Sequence, residues 1–247
     1  MCFLKKIYKL KPLLIYGFFL CSTNIDAQYK YSYKKFDPYL GAISAGFLGS
    51  SFYLQNQVKP LSENYILSLN RNNVNRFDRI ATYQWNPTIA RTSDGVAVGS
   101  GLMFLYFCFD KNSKQNVFPI AGVAFQSLLL SQALSNSFKL TLRPRPLVYN
   151  PEVEMSKKMK SDSRMSFFSA HTTTVSSLSF SFAYAYQTYN APNKPNYALW
   201  TGAFALPAVE AILRVKAGKH YPSDVICGYV VGFASSFIMH KLHKVNK

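Results

Sequence analysis

Six stretches poor in charge and rich in apolar residues recur along the chain, at about 39–55, 95–109, 118–138, 171–188, 196–213 and 224–240. Polar segments rich in Asn, Pro and Lys separate them, so the pattern predicts an all-α protein, a six-helix bundle. The last stretch is the clearest. Val225, Ile226, Tyr229, Val230, Phe233 and Phe237 fall on one helical stripe, while Gly228, Gly232 and Ser236 form a second stripe of small residues. Such a stripe predicts close approach by a neighbouring helix. Between the first two stretches, residues 56–94 read as short surface helices, and the chain carries no repeat or low-complexity segment.

A membrane span needs about 20 largely apolar residues. The stretch 39–55 is rich in Gly and Ser, 95–109 is closed by Asp110, and 171–188 carries a Thr/Ser-rich face. Mean hydropathy is −0.02. If a leader were cleaved and six spans followed, the 139–170 and 214–224 loops would both lie on the cytoplasmic side. These points favour a soluble or peripherally attached bundle on the periplasmic face, with an integral inner-membrane protein as the alternative.

The first 27 residues run from a Lys-rich stretch through an apolar segment at 12–20 to small and polar residues ending at Ala27. That is the organisation of an export signal, and Cys21 adds a weakly supported lipoprotein anchor. The expected division is a signal peptide at 1–27, an N-terminal helical segment at 28–94 packed on the core, and a catalytic domain at 95–247. The net charge is +17, and losing the leader takes away four lysines and one aspartate, leaving +14. Such a balance favours anionic partners without choosing among them. Cys108 and Cys227 each sit in an apolar stretch, which predicts two buried thiols rather than a disulfide framework, although an oxidising compartment permits one bridge.

Three short segments carry candidate chemistry. In 213–229, LRVKAGKHYPSDVICGY, five residues separate Arg214 from His220 and three separate His220 from Asp224. Pro222 suits the first turn of a helix. Asp224 then lies in that turn, close enough to His220 for its carboxylate to hold one imidazole nitrogen and leave the other free to attack. Gly218 supplies the preceding turn. In 166–174, SFFSAHTTT, a helix is expected to begin after Phe168 with Ser169 as its cap. Ser169, Ala170 and His171 would then turn backbone donors towards an anion, with His171 placed for proton transfer. The segment 138–150, FKLTLRPRPLVYN, offers the guanidinium forks of Arg143 and Arg145 to phosphate oxygens, with Tyr149 and Asn150 at the rim. His240 and His243, in a Lys-rich tail, read as structural. A Ser169–His171–Asp224 triad lacks a nucleophile-elbow glycine pattern and leaves Arg145 and Arg214 idle.

Together these segments resemble the type 2 phosphatidic acid phosphatase and vanadium haloperoxidase superfamily. Its signature is Lys, six residues, Arg-Pro; then Pro-Ser-Gly-His; then Ser-Arg, five residues, His, three residues, Asp. The resemblance spans roughly 118–240. The third element departs only at Leu213; the second carries Phe168 for Pro and Ala170 for Gly but keeps Ser169 and His171. The first keeps Arg145-Pro146, yet only five residues separate Lys139 from Arg145, and Phe138 stands at the usual spacing. One residue is about 100° of helix rotation, so Lys139 must reach round with its stem or Arg143 must replace its charge.

The resemblance implies a bacterial exported phosphatase that hydrolyses phosphate monoesters without a metal. Lipid phosphates or pyrophosphates are the favoured substrates, and soluble monoesters are possible. His220 would be the nucleophile that forms a phosphohistidine, His171 the general acid and base, and Asp224 the residue that orients His220. Arg145, Arg214, Ser169, the backbone at Ala170 and Lys139 would hold the phosphate oxygens. No cofactor is implied, although vanadate could bind the same pocket. An activity maximum at about pH 5–7 would follow. Two alternatives stand beside this reading: a vanadium-dependent haloperoxidase with His220 as the vanadate ligand, and a non-catalytic anion- or lipid-binding relative motivated by the displaced Lys139. The partners expected are a phosphorylated small molecule or lipid phosphate and an anionic membrane surface. Nucleic acid fits poorly, because aromatic residues concentrate in apolar helices rather than interleaving with Lys and Arg.

Overall fold

A computed structural model describes residues 31–111, 113–191 and 194–245. Among these residues the chain is helical with no β-strand, in agreement with the all-α expectation. Six long helices carry the fold: α1 (Asp37–Asn56), α2 (Pro87–Cys108), α3 (Val117–Phe138), α4 (Ala170–Tyr189), α5 (Tyr197–Lys216) and α6 (Pro222–His243). Each coincides with one of the apolar stretches. Short helices at Glu63–Ser68 and Arg76–Arg79 fill the segment between α1 and α2, as expected of it. The export signal lies outside the described residues.

Side-chain caps set several helix starts. The Asn86 Oδ1 accepts from the Ile89 N–H at 3.0 Å, and Pro87 opens the first turn of α2. This helix therefore begins eight residues before the apolar stretch at 95–109. Hydropathy marks where a helix is apolar, whereas a cap marks where it starts, and the first two turns of α2 are polar. In the same way the Asn196 Oδ1 accepts from Leu199 N–H at 3.0 Å to start α5.

Helix α4 is the central post, packed by α2, α3, α5 and α6, while α1 lies against α3. More than half of α4 is buried, and much of what it buries is hydroxyl-bearing: Thr172, Thr173, Ser176, Ser177, Ser179 and Ser181. The small-residue stripe of α6 meets it. A Cβ on Gly228 would stand 2.7 Å from the Ser169 carbonyl oxygen, and one on Gly232 would stand 2.6 Å from that of Thr173. Ser236 donates to the Ser177 carbonyl at 2.7 Å, and Ser127 bonds the hydroxyls of Ser177 and Ser236 at 2.9 and 3.0 Å. Far from the Arg-rich loops, His243 and Asp37 form a buried pair at 2.8 Å, and the Tyr31 hydroxyl meets His240 Nδ1 at 2.9 Å. Both histidines are structural, but they are buried in the bundle rather than carried on a solvated tail.

The bundle is apolar outside as well as within. Ile43 and Phe47 on α1, Leu102 on α2, Phe125 on α3, Ile212 on α5 and Val230 on α6 are all exposed. Among the described residues, three segments, Lys114–Tyr149, Tyr197–Lys216 and Pro222–His243, contain helices long and apolar enough to cross a membrane by length and composition. Small and hydroxyl-bearing residues inside with large apolar residues outside is the arrangement that suits a bundle in lipid. Cys108 and Cys227 are unpaired; Cys108 is buried and Cys227 half-buried.

Candidate active site

One end of the bundle gathers the C-terminal end of α3, the first turns of α2, α4 and α6, the last turn of α5 and the short helices before α2. Gly218, between α5 and α6, adopts a left-handed φ of 69°. A side chain there would also collide with the backbone carbonyl of Gln84. The turn sets His220 immediately before α6, in a buried position. Its Nδ1 lies 2.8 Å from the Ser166 carbonyl oxygen and 3.6 Å from Asp224 Oδ2. A carbonyl only accepts, so Nδ1 carries the proton and Nε2 the lone pair. That lone pair faces Arg145 Nη1 at 3.3 Å.

The direct partner of His220 is thus a backbone carbonyl, where the sequence suggested the Asp224 carboxylate. Asp224 organises what surrounds that carbonyl. Its Oδ2 accepts from Ser166 Oγ at 2.5 Å and from the Tyr221 N–H at 3.0 Å, and its Oδ1 accepts from Arg143 at 2.5 Å. Arg143 also reaches Asp78 at 2.7 Å and stacks on Tyr221. It is committed behind His220 and does not stand in for Lys139. Asn150 is buried, its side chain closing a turn at Glu152, rather than lining a rim.

The other candidates converge in front of His220. Arg145 is buried and held by the Asp162 carbonyl at 2.9 Å and carboxylate at 2.8 Å. Arg214, also buried, donates to Ser93 Oγ and Asp94 Oδ1, each at 3.2 Å. Lys139 begins a tighter 3₁₀ turn after α3, with Nζ 3.2 Å from Asn136 Oδ1, and its charge acts on His220. Ser169 caps α4 through Thr172 N–H at 3.3 Å and also accepts from the Thr172 hydroxyl at 3.0 Å. Its own hydroxyl hydrogen is left to donate. The Ser169 N–H is taken by the Asp224 carbonyl at 3.2 Å, so the anion-facing donors of this helix end are those of Ala170 and His171, which the helix itself cannot pair. His171 Nε2 lies 3.0 Å from Asp94 Oδ1.

Two histidines and two buried arginines are thus brought together at a helix N-terminus, a set of donors and cations whose chemistry suits a tetrahedral oxyanion. Residues 120–247, slightly more than half of the chain, match the PAP2 superfamily. The chain belongs to this superfamily. Membership supports phosphatase-type activity in the broad sense. No curated protein and no solved structure matches the chain.

Within this PAP2 site the electrostatics act in one direction. Burial, then the charges of Arg145, Arg214 and Lys139, push His220 well below the usual histidine range. At His171 the charges of Arg214 and Asp94 act against each other. Lys219 is also lowered, by burial and then by Arg145 and Arg214. His220 is therefore neutral near pH 7 before an anion arrives. Four contributors lie outside any motif spacing: Ser166, Asp162, Asp78 and Asp94. For Asp94 a signal did exist, since it is the one acidic residue in α2.

Proposed function

We propose that this PAP2 protein hydrolyses phosphate monoesters of amphiphilic alcohols through a phosphohistidine on His220, from a bundle seated in a lipid bilayer. The observation that carries the reading is the fixed tautomer of His220. With its Nδ1–H given to the Ser166 carbonyl, the Nε2 lone pair is directed at the guanidinium that would receive the phosphate. Arg145, Arg214 and Lys139, the Ser169 hydroxyl and the N–H groups of Ala170 and His171 hold the three equatorial oxygens. Charge-assisted bonds of roughly 1.5–3 kcal/mol each make this positioning the main source of rate.

In the first step Nε2 forms a bond to phosphorus as the ester P–O bond breaks, and His171 gives a proton to the departing alkoxide. In the second step water attacks phosphorus, its proton passes to His171, and the N–P bond breaks with its electron pair returning to Nε2. No metal takes part. The apolar exterior, long enough at 20–22 residues per helix to cross about 30 Å of hydrocarbon, favours substrates already in the membrane.

A phosphate-release panel tests the reading: one lipid phosphate, one prenyl pyrophosphate and one soluble monoester, with chelator present, on wild type and His220→Ala. Release that survives chelation and falls to background in the variant is expected. Loss of all activity on chelation, or full activity in His220→Ala, refutes the mechanism.

A further inference from the structure

The proton-transfer half of the site is held from a helix outside the superfamily match. Helix α2 contributes two consecutive residues, Ser93 and Asp94. The buried Ser93 donates to the Glu210 carboxylate at 2.5 Å and accepts from Arg214 Nη1 at 3.2 Å. Asp94 takes the same Arg214 nitrogen at 3.2 Å and His171 Nε2 at 3.0 Å, both on Oδ1. One carboxylate oxygen therefore bridges His171 and Arg214, the acid and one phosphate-holding arginine of the proposed reaction. We propose that Asp94 is a positioning residue that fixes His171 through Nε2, so that the proton exchanged with substrate moves at Nδ1. The proposal rests on the phosphatase reading for its kinetic consequences and on geometry alone for the coupling itself.

The logic is that of an acid and its orienting carboxylate. A neutral His171 that gives its Nε2–H to Asp94 keeps its lone pair on Nδ1, and that atom can take a proton from the phosphate and pass it to the alkoxide. The groups acting on this ring are Asp94 from α2, Arg214 from α5 and Arg145 from the loop after α3, while His220 before α6 feels its charge in turn. Glu210 acts on Arg214 from one turn earlier on α5. The two arginines disfavour the imidazolium, and Asp94 is the anion that opposes them at contact distance. Removing its charge leaves the ring untethered and the cations unopposed, while Arg214 gains freedom to bind phosphate. Proton transfer should suffer and binding should not.

The test uses the full chain in detergent with ¹⁵N-labelled histidine, titrated with saturating inorganic phosphate, and compares wild type, Asp94→Asn and Asp94→Glu. Loss of a ring signal in His171→Gln assigns His171. In Asp94→Asn the His171 midpoint falls by about one pH unit or more, the alkaline limb of kcat moves the same way, and kcat near pH 6 drops on the order of tenfold with KM unchanged or lower. Asp94→Glu recovers most of the loss. An unmoved His171 midpoint in Asp94→Asn, or a raised KM at unchanged kcat, overturns the proposal. If wild type hydrolyses none of the esters, the phosphatase reading falls, and the titration alone still decides whether Asp94 governs His171.

Discussion

Phosphoryl transfer through histidine needs one imidazole without a proton and a second group that carries one. In the anion-free protein His220 is neutral, pushed well below its usual range by burial and by the charges of Arg145, Arg214 and Lys139. The proton that the second group passes on comes with the substrate, as the monoanion of the phosphate, whose second pKa is about 6. Accordingly kcat/KM is highest below about pH 6, declines above 6 as the dianion replaces the monoanion, and falls again on the acid side, where His220 takes up a proton and loses the lone pair that attacks. The optimum therefore sits towards the acid side of the pH 5–7 that unperturbed histidines suggest. A kcat/KM profile still rising beyond pH 7 would contradict it. His171, His220, Arg145 and Arg214 were legible in the sequence because short spacings fix their relation along one chain segment. The Ser166 carbonyl was not, because a backbone acceptor has no side-chain signature. Asp78 was not, because its partner Arg143 lies 65 residues away, and Asp94, although the lone acidic residue of α2, had nothing in the sequence to tie it to His171 or Arg214.

Between helices, α6 meets α4 most closely where α6 carries no side chain, at Gly228 and Gly232. The stripe on α6 was readable from the period of small residues, and its partner is α4, the helix that starts with Ser169 and His171. At Gly232 the obstacles to a Cβ are the Thr173 carbonyl at 2.6 Å and the Ser176 Cβ at 2.7 Å. Neither is the tip of a flexible side chain. Gly232→Val should therefore destabilise the bundle by about 1–3 kcal/mol or more, since α6 must move away as a body. Gly202→Val on α5, where a Cβ meets nothing within 4 Å, is the control and should melt with wild type. Thermal unfolding in detergent separates the two, and equal midpoints would remove the stripe from the account.

For the whole molecule, the question is what solvent the outer face meets. Hydropathy averaged over the chain is near zero because polar loops and a hydroxyl-rich interior offset the apolar exterior, so the average hides which side of each helix is which. With exposed aromatic and aliphatic side chains on α1, α2, α3, α5 and α6, the protein should sediment with membranes, resist alkaline carbonate and come off only in detergent. Release by carbonate would return it to the peripheral class. A last consequence concerns Asp78, which accepts from Ser223 N–H at 2.9 Å, Ser223 Oγ at 2.7 Å and Arg143 at 2.7 Å. It stands, like Asp94, in the half of the chain outside the superfamily match. The signature residues can thus stay unchanged while two carboxylates contributed from elsewhere drift, which gives descent a way to retune the acidity and grip of this site without touching a single motif position.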